Sequence, residues 1–371
     1  MSEHNGNANS RRQVLERIRS DSSFVLATHE NMDGDALGSL VAMHGLLTAL
    51  GKDAPMFIAP SEFPLPHEYR FFALEGGAGG SQSMGGAVDR GPTSPGGRIP
   101  MQFESGDVIR SAPEDIAQRT VIFLDCGNID RNSAQVLRDG AHLLNIDHHH
   151  DNTHFGTLDH VVPSASCTAE IVWDLMQDLE FHPPPAVAEA LYIGLITDTG
   201  RFMYENTGPR AHEMAAALIA AGVDVQKVYR RLFEEMPPAK LALFARALAR
   251  VSRHDDGELM LAWLDAEDFI AVGAEASYSE GIVDILRAVQ GTKVAALVRE
   301  LIAPERRGER KVSLRATDDD VDVSCIARAQ GGGGHRRAAG FSTTLEVAQL
   351  TAFLRQEIAA QLHPAPAHAQ A

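Results

Sequence analysis

The sequence predicts an α/β protein of two domains, a parallel-sheet domain with helices on both faces and a smaller mixed α/β domain joined to it by a helical linker. Three observations lead there. Short, wholly apolar runs alternate with stretches of helical period in the first half of the chain, the pattern of a parallel sheet buried on both faces. The chain has 371 residues, enough for two ordinary cores. A helical stretch from about 237 to 252, after Pro237-Pro238, looks like the link to a second, mixed α/β unit.

In chain order, residues 1–10 read as a polar, disordered leader without the apolar core of a secretory signal. Phe24-Val-Leu-Ala-Thr28 reads as a buried strand. A helix follows from Ala36 to Leu50, with Leu37, Leu40, Val41, His44 and Leu47 on one face and Gly51 as its terminating residue. Pro55–Ala59 is a second strand. Residues 75–106, rich in Gly, Ser and Pro, read as a flexible insert; no Gly-Lys-Ser/Thr follows, so its glycines form no phosphate loop. Strands resume at Val121–Asp125 and His142–Asp147, and helices are expected over 166–179 and 185–198. These place the first domain at 11–232, a helical linker at 233–254 and the second domain at 255–362, with disordered tails at 1–10 and 363–371. The second domain holds strands near 258–264, 293–300 and 310–315 and helices near 279–290 and 345–361.

Composition narrows the function. No run approaches a membrane span, so a membrane partner is not expected. Cys126, Cys167 and Cys325 lie too far apart for a disulfide framework or a zinc motif, which fits a cytoplasmic location. The formal charge of −17 repels long polyanions and disfavours long duplex DNA as a partner. A small anionic substrate remains open to it if cations and a few arginines make a local positive site.

Four segments place acids and histidines where strands or helices end: His29 with Asp33 and Asp35, then Asp125, then Asp147-His148-His149, then Asp198. Asp33 and Asp35 are two apart, so an extended loop would put both carboxylates on one side, with Gly34 keeping the backbone thin beside an ion. Either aspartate alone would read as a helix cap. Asp125 closes a wholly apolar strand, where an unpaired carboxylate is costly. Groups at the carboxyl ends of parallel strands meet in one crevice. Mixed carboxylate and imidazole donors suit manganese, with magnesium or cobalt as alternatives, and six are enough for two divalent cations sharing a carboxylate.

These segments resemble, in order, the motifs of the DHH phosphoesterase superfamily. A fifth, Gly331-Gly-Gly-Gly-His335-Arg336-Arg337-Ala-Ala-Gly340 with Ser313-Leu-Arg315 upstream, resembles the DHHA1 substrate-binding domain. The resemblance covers roughly residues 15 to 360. One departure is Glu30-Asn31-Met32, where family members often carry a proline before the first aspartate. The resemblance implies that His29 and Asp33 bind one metal, Asp35, His148 and Asp198 the other, and that Asp125 bridges them. His149 would contact the phosphate, with Asp147 behind it, and a hydroxide bridging the metals would attack phosphorus. Arg315, Gly333, Gly334, His335 and Arg336 would grip the nucleotide. The layout resembles the branch that degrades short oligoribonucleotides (nanoRNase) and removes the 3′-phosphate of 3′-phosphoadenosine 5′-phosphate (pAp), a branch in which homodimers occur. A cyclic di-AMP or pApA phosphodiesterase is the alternative, and a non-catalytic nucleotide-binding protein the second.

Overall fold

A computed structural model of the chain describes residues 2–74, 103, 104, 106–132 and 134–363. Most of the glycine-rich insert expected at 75–106 and the tail from residue 364 lie outside the described residues. The chain divides into two units, 1–235 and 236–371.

The first unit runs α1 (Ser2–Ser20), β1 (Phe24–Ala27), α2 (Gly34–Ala49), β2 (Met56–Phe57), β3 (Val108–Ile109), β4 (Thr120–Leu124), β5 (His142–Asp147), β6 (Leu158–Val161), α3 (Thr168–Asp178), α4 (Pro185–Asp198), α5 (Pro209–Ala220) and α6 (Val225–Tyr229). Its strands form one parallel sheet in the order β3-β2-β1-β4-β5-β6. The order reverses between β1 and β4, so the crevice beyond their carboxyl ends is the place where a doubly wound sheet binds ligands. Every residue of β1 and β4 is buried, as their unbroken apolar runs require. Phe24, Leu26, Ile122 and Leu124 pack under α2, α3 and α4. Val25, Ala27, Val121 and Phe123 face the opposite side, where the helical cover is short 3-10 turns carrying Ile116 and Leu137.

Three sequence expectations change here. The leader expected to be disordered through residue 10 is helical from Ser2. Farther along the same helix, Val14, Leu15 and Ile18 join the core and Arg11 pairs with Asp174 and Asp178. The expected one-sided α2 is buried on nearly all sides, because α4 packs against its outer face. A Cβ on Gly38 would lie 2.4 Å from the carbonyl of Ala190, which shows how closely the two helices approach. Gly51 does end α2, at φ 72°, with Lys52 N–H donating to the Leu47 carbonyl. Strands β3 and β6 were not expected: one has two residues and the other, Leu158–Val161, sets two polar residues between two apolar ones and shows no strand alternation.

The second unit contains α7 (Pro238–Ala249), β7 (Ser252–His254), β8 (Leu259–Leu264), α8 (Ala266–Val272), α9 (Ile282–Arg287), β9 (Val294–Glu300), β10 (Arg310–Ala316), α10 (Val323–Arg328), β11 (Gly333–His335), β12 (Ala338–Thr343) and α11 (Val347–Leu362). The sheet order is β11-β12-β10-β9-β8-β7, with β8 and β9 parallel and the other pairs antiparallel. The helix read as a linker is part of this unit's own core: Leu243, Phe244 and Ala247 of α7 pack with Met260, Ala262 and Phe269. Among the described residues no helix is long and apolar enough to cross a membrane.

Candidate metal centre

The crevice beyond β1, β4 and β5 gathers the candidate ligands. His29 follows β1 and is buried; its Nδ1 donates to the Glu30 carbonyl at 2.7 Å, which turns Nε2 toward Asp125 Oδ2 at 3.5 Å. Asp125 follows β4, 2% exposed and with its backbone in the left-handed region at φ 57°. An aspartate tolerates that conformation better than most residues, and such outliers concentrate at functional sites. His148 Nε2, beyond β5, lies 3.6 Å from Asp125 Oδ1 and 3.7 Å from Asp198 Oδ2.

Asp33 and Asp35 arrive differently from the extended loop that their spacing suggested. Asp33 is the N-cap of α2, with Oδ1 accepting from the N–H groups of Asp35 and Ala36, so capping and ion binding fall on one residue. Asp35 sits in the first helical turn and is buried. Gly34 serves packing rather than thinness beside an ion: a Cβ there would lie 2.4 Å from Thr197 Oγ1 of α4.

Among the described residues three donor groups result, each with ligand atoms within 4.8 Å of one another: His29 with Asp33 and Asp125, Asp35 with His148 and Asp198, and Asp125 with His148 and His149. Asp125 is common to two groups and His148 to two. Burial, followed by repulsion from Asp125, Asp198 and Asp33, pushes the Asp35 carboxyl well above the usual carboxylate range. Burial also raises Asp198 to about 7, with His148 lowering it and Asp125 and Asp33 adding to the rise. Asp125 goes the other way, because its bond to His29 and the charges of His149 and His148 outweigh burial. Crowded carboxylates that resist ionisation are the electrostatic fit for divalent cations, whose charge reverses that cost.

His149 and Asp147 form a second layer. Asp147, fully buried at the end of β5, accepts on Oδ1 from His149 Nδ1 at 2.7 Å and from the His148 N–H at 2.9 Å, and on Oδ2 from Asn152 Nδ2 at 2.6 Å. Both of its oxygens are engaged by these bonds, and it belongs to none of the donor groups found among the described residues. Although burial opposes charge on His149, the bond to Asp147 and the nearby carboxylates raise it to about 9. Its Nδ1 is taken up by Asp147.

Sequence reading missed the neutral residues that hold these groups. Asn152 fixes Asp147, as above. Asn206 Nδ2 donates to Asp198 Oδ2 at 3.1 Å and to the Ser166 carbonyl at 2.8 Å. It is returned to Asp198 by a left-handed turn, with Gly200, Arg201 and Phe202 at φ 55°, 64° and 64° and the Met203 and Tyr204 N–H groups both donating to the Thr199 carbonyl. Such backbone costs roughly 1–2 kcal/mol per non-glycine residue. Thr168 touches both Asp35 and Asp125. Asn and Thr carry no pattern in sequence that marks such roles.

In the second unit, Arg315 on β10 lies opposite Ala338 of β12, which in turn lies opposite His335 of β11, so the three positions share one sheet face. Gly333 has open space around it, and Gly334 adopts φ 135°, where a side chain would meet the Ala338 carbonyl. Arg336 is held elsewhere, donating to the Asp319 carbonyl at 2.8 Å, and Arg337 pairs with the Asp319 carboxylate. The same face carries a cross-strand pair that the sequence reading did not single out, Arg299 on β9 and Lys311 on β10. Burial lowers the pKa of both, and their mutual repulsion adds to it at Lys311.

The chain was compared with known proteins. A model of the DHH family N-terminal domain matches residues 23–195, which take in every proposed ligand except Asp198, and a model of the DHHA1 domain matches residues 268–362. The bifunctional oligoribonuclease and PAP phosphatase NrnA of Thermus thermophilus is 31% identical over 328 residues, 88% of this chain and 86% of that one. A probable bifunctional oligoribonuclease and PAP phosphatase NrnA of Streptococcus mutans is 25% identical, over 88% of this chain and 91% of its own. Among solved structures, an exopolyphosphatase-related protein from Bacteroides fragilis shares the fold with a TM-score of 0.75 at 19% identity, covering 95% of this chain and 97% of that one. With both units matched and a relative above 30% identity along most of its length, the chain belongs to the DHH phosphoesterase family, its second unit being a DHHA1 domain.

Proposed function

We propose that the chain hydrolyses short oligoribonucleotides to mononucleotides and pAp to AMP in the cytoplasm, at a centre of two divalent cations, manganese first among them. The observation that carries this reading is the convergence of six donors in one crevice, with Asp125 shared between groups. His29, Asp33 and Asp125 would hold one ion; Asp35, His148 and Asp198, with Asp125, the other. Bound there, the cations supply Lewis-acid charge and lower the pKa of water toward neutrality.

The chain's own residues do the rest. His149, oriented through Nδ1 by Asp147, donates from Nε2 to a phosphate oxygen as negative charge builds on it. Asp147 holds that ring, and Asn152 holds Asp147. Water's oxygen bonds to phosphorus, and the ester oxygen leaves with a proton. In the second unit, Arg299, Lys311 and Arg315 share a half-buried sheet face floored by Gly333, Ala338 and Gly340, a small basic patch on an acidic chain in which Arg315 lies 3.6 Å from Asp284. A surface of that size suits a nucleotide or a few linked ones and leaves a long polyanion repelled. The names of the relatives support the same substrates.

The test is a substrate panel with Mn²⁺: two- to five-residue RNA, a long single-stranded RNA, pAp, pApA, cyclic di-AMP and pyrophosphate. The shortest RNAs and pAp should turn over fastest. Preference for the long strand or pyrophosphate would contradict the reading, and preference for pApA or cyclic di-AMP would replace the substrate.

A further inference from the structure

We infer that Thr168 is a positioning residue that couples the two halves of the metal centre by setting the rotation of the Asp125 carboxylate. The inference rests on the two-cation reading above. Thr168 is fully buried at the first position of α3. The residue before it, Cys167, is the N-cap but makes no side-chain cap. The first N–H groups of α3 are capped from another helix: Thr168 N–H donates to Asp35 Oδ2 at 2.6 Å and Ala169 N–H to Asp35 Oδ1 at 2.9 Å. The backbone of α3 therefore fixes Asp35 with both oxygens engaged; Oδ1 also accepts from the Ser39 hydroxyl at 3.2 Å, which leaves Oδ2 with a further lone pair for an ion.

The hydroxyl does something the cap does not need. Thr168 Oγ1 donates to Asp125 Oδ1 at 3.0 Å. Asp125 is the carboxylate common to two donor groups, and its two oxygens face different partners: Oδ2 toward His29, Oδ1 toward His148. A carboxylate can turn about its Cβ–Cγ bond, and a turn would withdraw one oxygen from each side at once. The Thr168 hydroxyl takes one lone pair of Oδ1 and opposes that turn, while the second lone pair stays available to an ion. One residue thus ties the α2 ligand to the β4 ligand, through its backbone N–H to Asp35 and its hydroxyl to Asp125. Outer partners of this kind typically account for 10–100-fold in metal affinity.

The test separates hydroxyl from shape. Thr168→Val keeps the size and the N–H that caps α3 but deletes the bond to Asp125; Thr168→Ser keeps the hydroxyl and loses only a methyl group. Mn²⁺ affinity is read by calorimetry, kcat and KM with pAp, and folding by the melting temperature without metal. The expected result is that Thr168→Val binds Mn²⁺ about 10–100-fold more weakly, with kcat reduced and KM for pAp within about twofold, while Thr168→Ser stays within about threefold of wild type. If Thr168→Val binds Mn²⁺ and turns over like wild type, or if Thr168→Ser is impaired as much as Thr168→Val, the inference is overturned. If Thr168→Val does not fold, Thr168→Ala takes its place under the same criteria. Wild-type protein that binds no Mn²⁺ would instead overturn the two-cation reading itself.

Discussion

At Asp125 the left-handed backbone, the end of a fully apolar strand and the contacts to His29, His148 and Thr168 all meet. Asp125→Asn should therefore lower kcat with pAp by more than about 100-fold and weaken binding of both ions, because a shared charge is lost from each. His149 sits behind that layer, its Nδ1 bound to Asp147. His149→Gln should lower kcat by about 100-fold or more, the scale of losing one donor to a developing oxyanion, while leaving Mn²⁺ stoichiometry unchanged. Loss of metal with no change in kcat per bound ion would reassign His149 as a ligand. Asp33 illustrates why a single-residue reading is incomplete: the cap and the ligand are compatible, since the cap uses only one oxygen.

At the scale of elements, the site depends on how closely α2, α3 and α4 approach. A Cβ on Gly194 of α4 would lie 2.7 Å from Asp35 Oδ1 and 2.8 Å from the Ala169 side chain. In an open helix Gly→Ala would gain about 1 kcal/mol of propensity. Here the overpacking cost of about 1–3 kcal/mol wins and is delivered onto a ligand. Gly194→Ala should melt lower and bind Mn²⁺ more weakly with every ligand intact; a variant melting higher with full metal affinity would refute that packing. In the second unit, Asp268 of α8 ties that helix to α7. Its Oδ2 accepts from the Asp265 N–H at 2.9 Å, and its Oδ1 from Arg246 Nη1 and Arg250 Nη2 at 3.1 Å. Burial opposes its charge, but these bonds prevail and lower its pKa below the ordinary 3.8. A lowered carboxylate stabilises the fold at pH values above the unfolded pKa and loses that contribution as pH falls through the folded one. Asp268→Asn should cost about 1–3 kcal/mol at pH 7 in urea unfolding, and the gap to wild type should narrow below about pH 4. A gap that stays constant down to pH 3 would contradict this.

At the scale of the whole chain, the two units have separate cores, and each carries one of the two tryptophans, Trp173 and Trp263. If the two cores unfold separately, a cation bound in the first unit stabilises that core alone by mass action, about 2.7 kcal/mol at a hundredfold excess over Kd. With Trp263→Phe leaving Trp173 as reporter, Mn²⁺ should raise the melting midpoint by about 5–10 °C. With Trp173→Phe leaving Trp263, the midpoint should barely move. Equal shifts in both would show that the units unfold together.

Much of this organisation is legible without coordinates, for a physical reason: buried parallel strands are unbroken apolar runs, so His29, Asp125 and Asp147-His148-His149 stand out where those runs stop. What stays hidden depends on tertiary geometry. Thr168, Asn152 and Asn206 act through single hydrogen bonds, and the like-charged pair Arg299 and Lys311 emerges only once the register of β9 and β10 is known. The helix after Pro237-Pro238 reads as a linker because helical period does not show which core a helix packs into; its Leu243, Phe244 and Ala247 belong to the second unit.

Above all, Asp125 is proposed to be shared by two cations. Anomalous diffraction at the manganese edge, from crystals grown with Mn²⁺, tests it directly. Two peaks should appear, one among His29, Asp33 and Asp125 and one among Asp35, Asp125, His148 and Asp198. A map with no peak in the crevice, or with a single ion that does not touch Asp125, would contradict it.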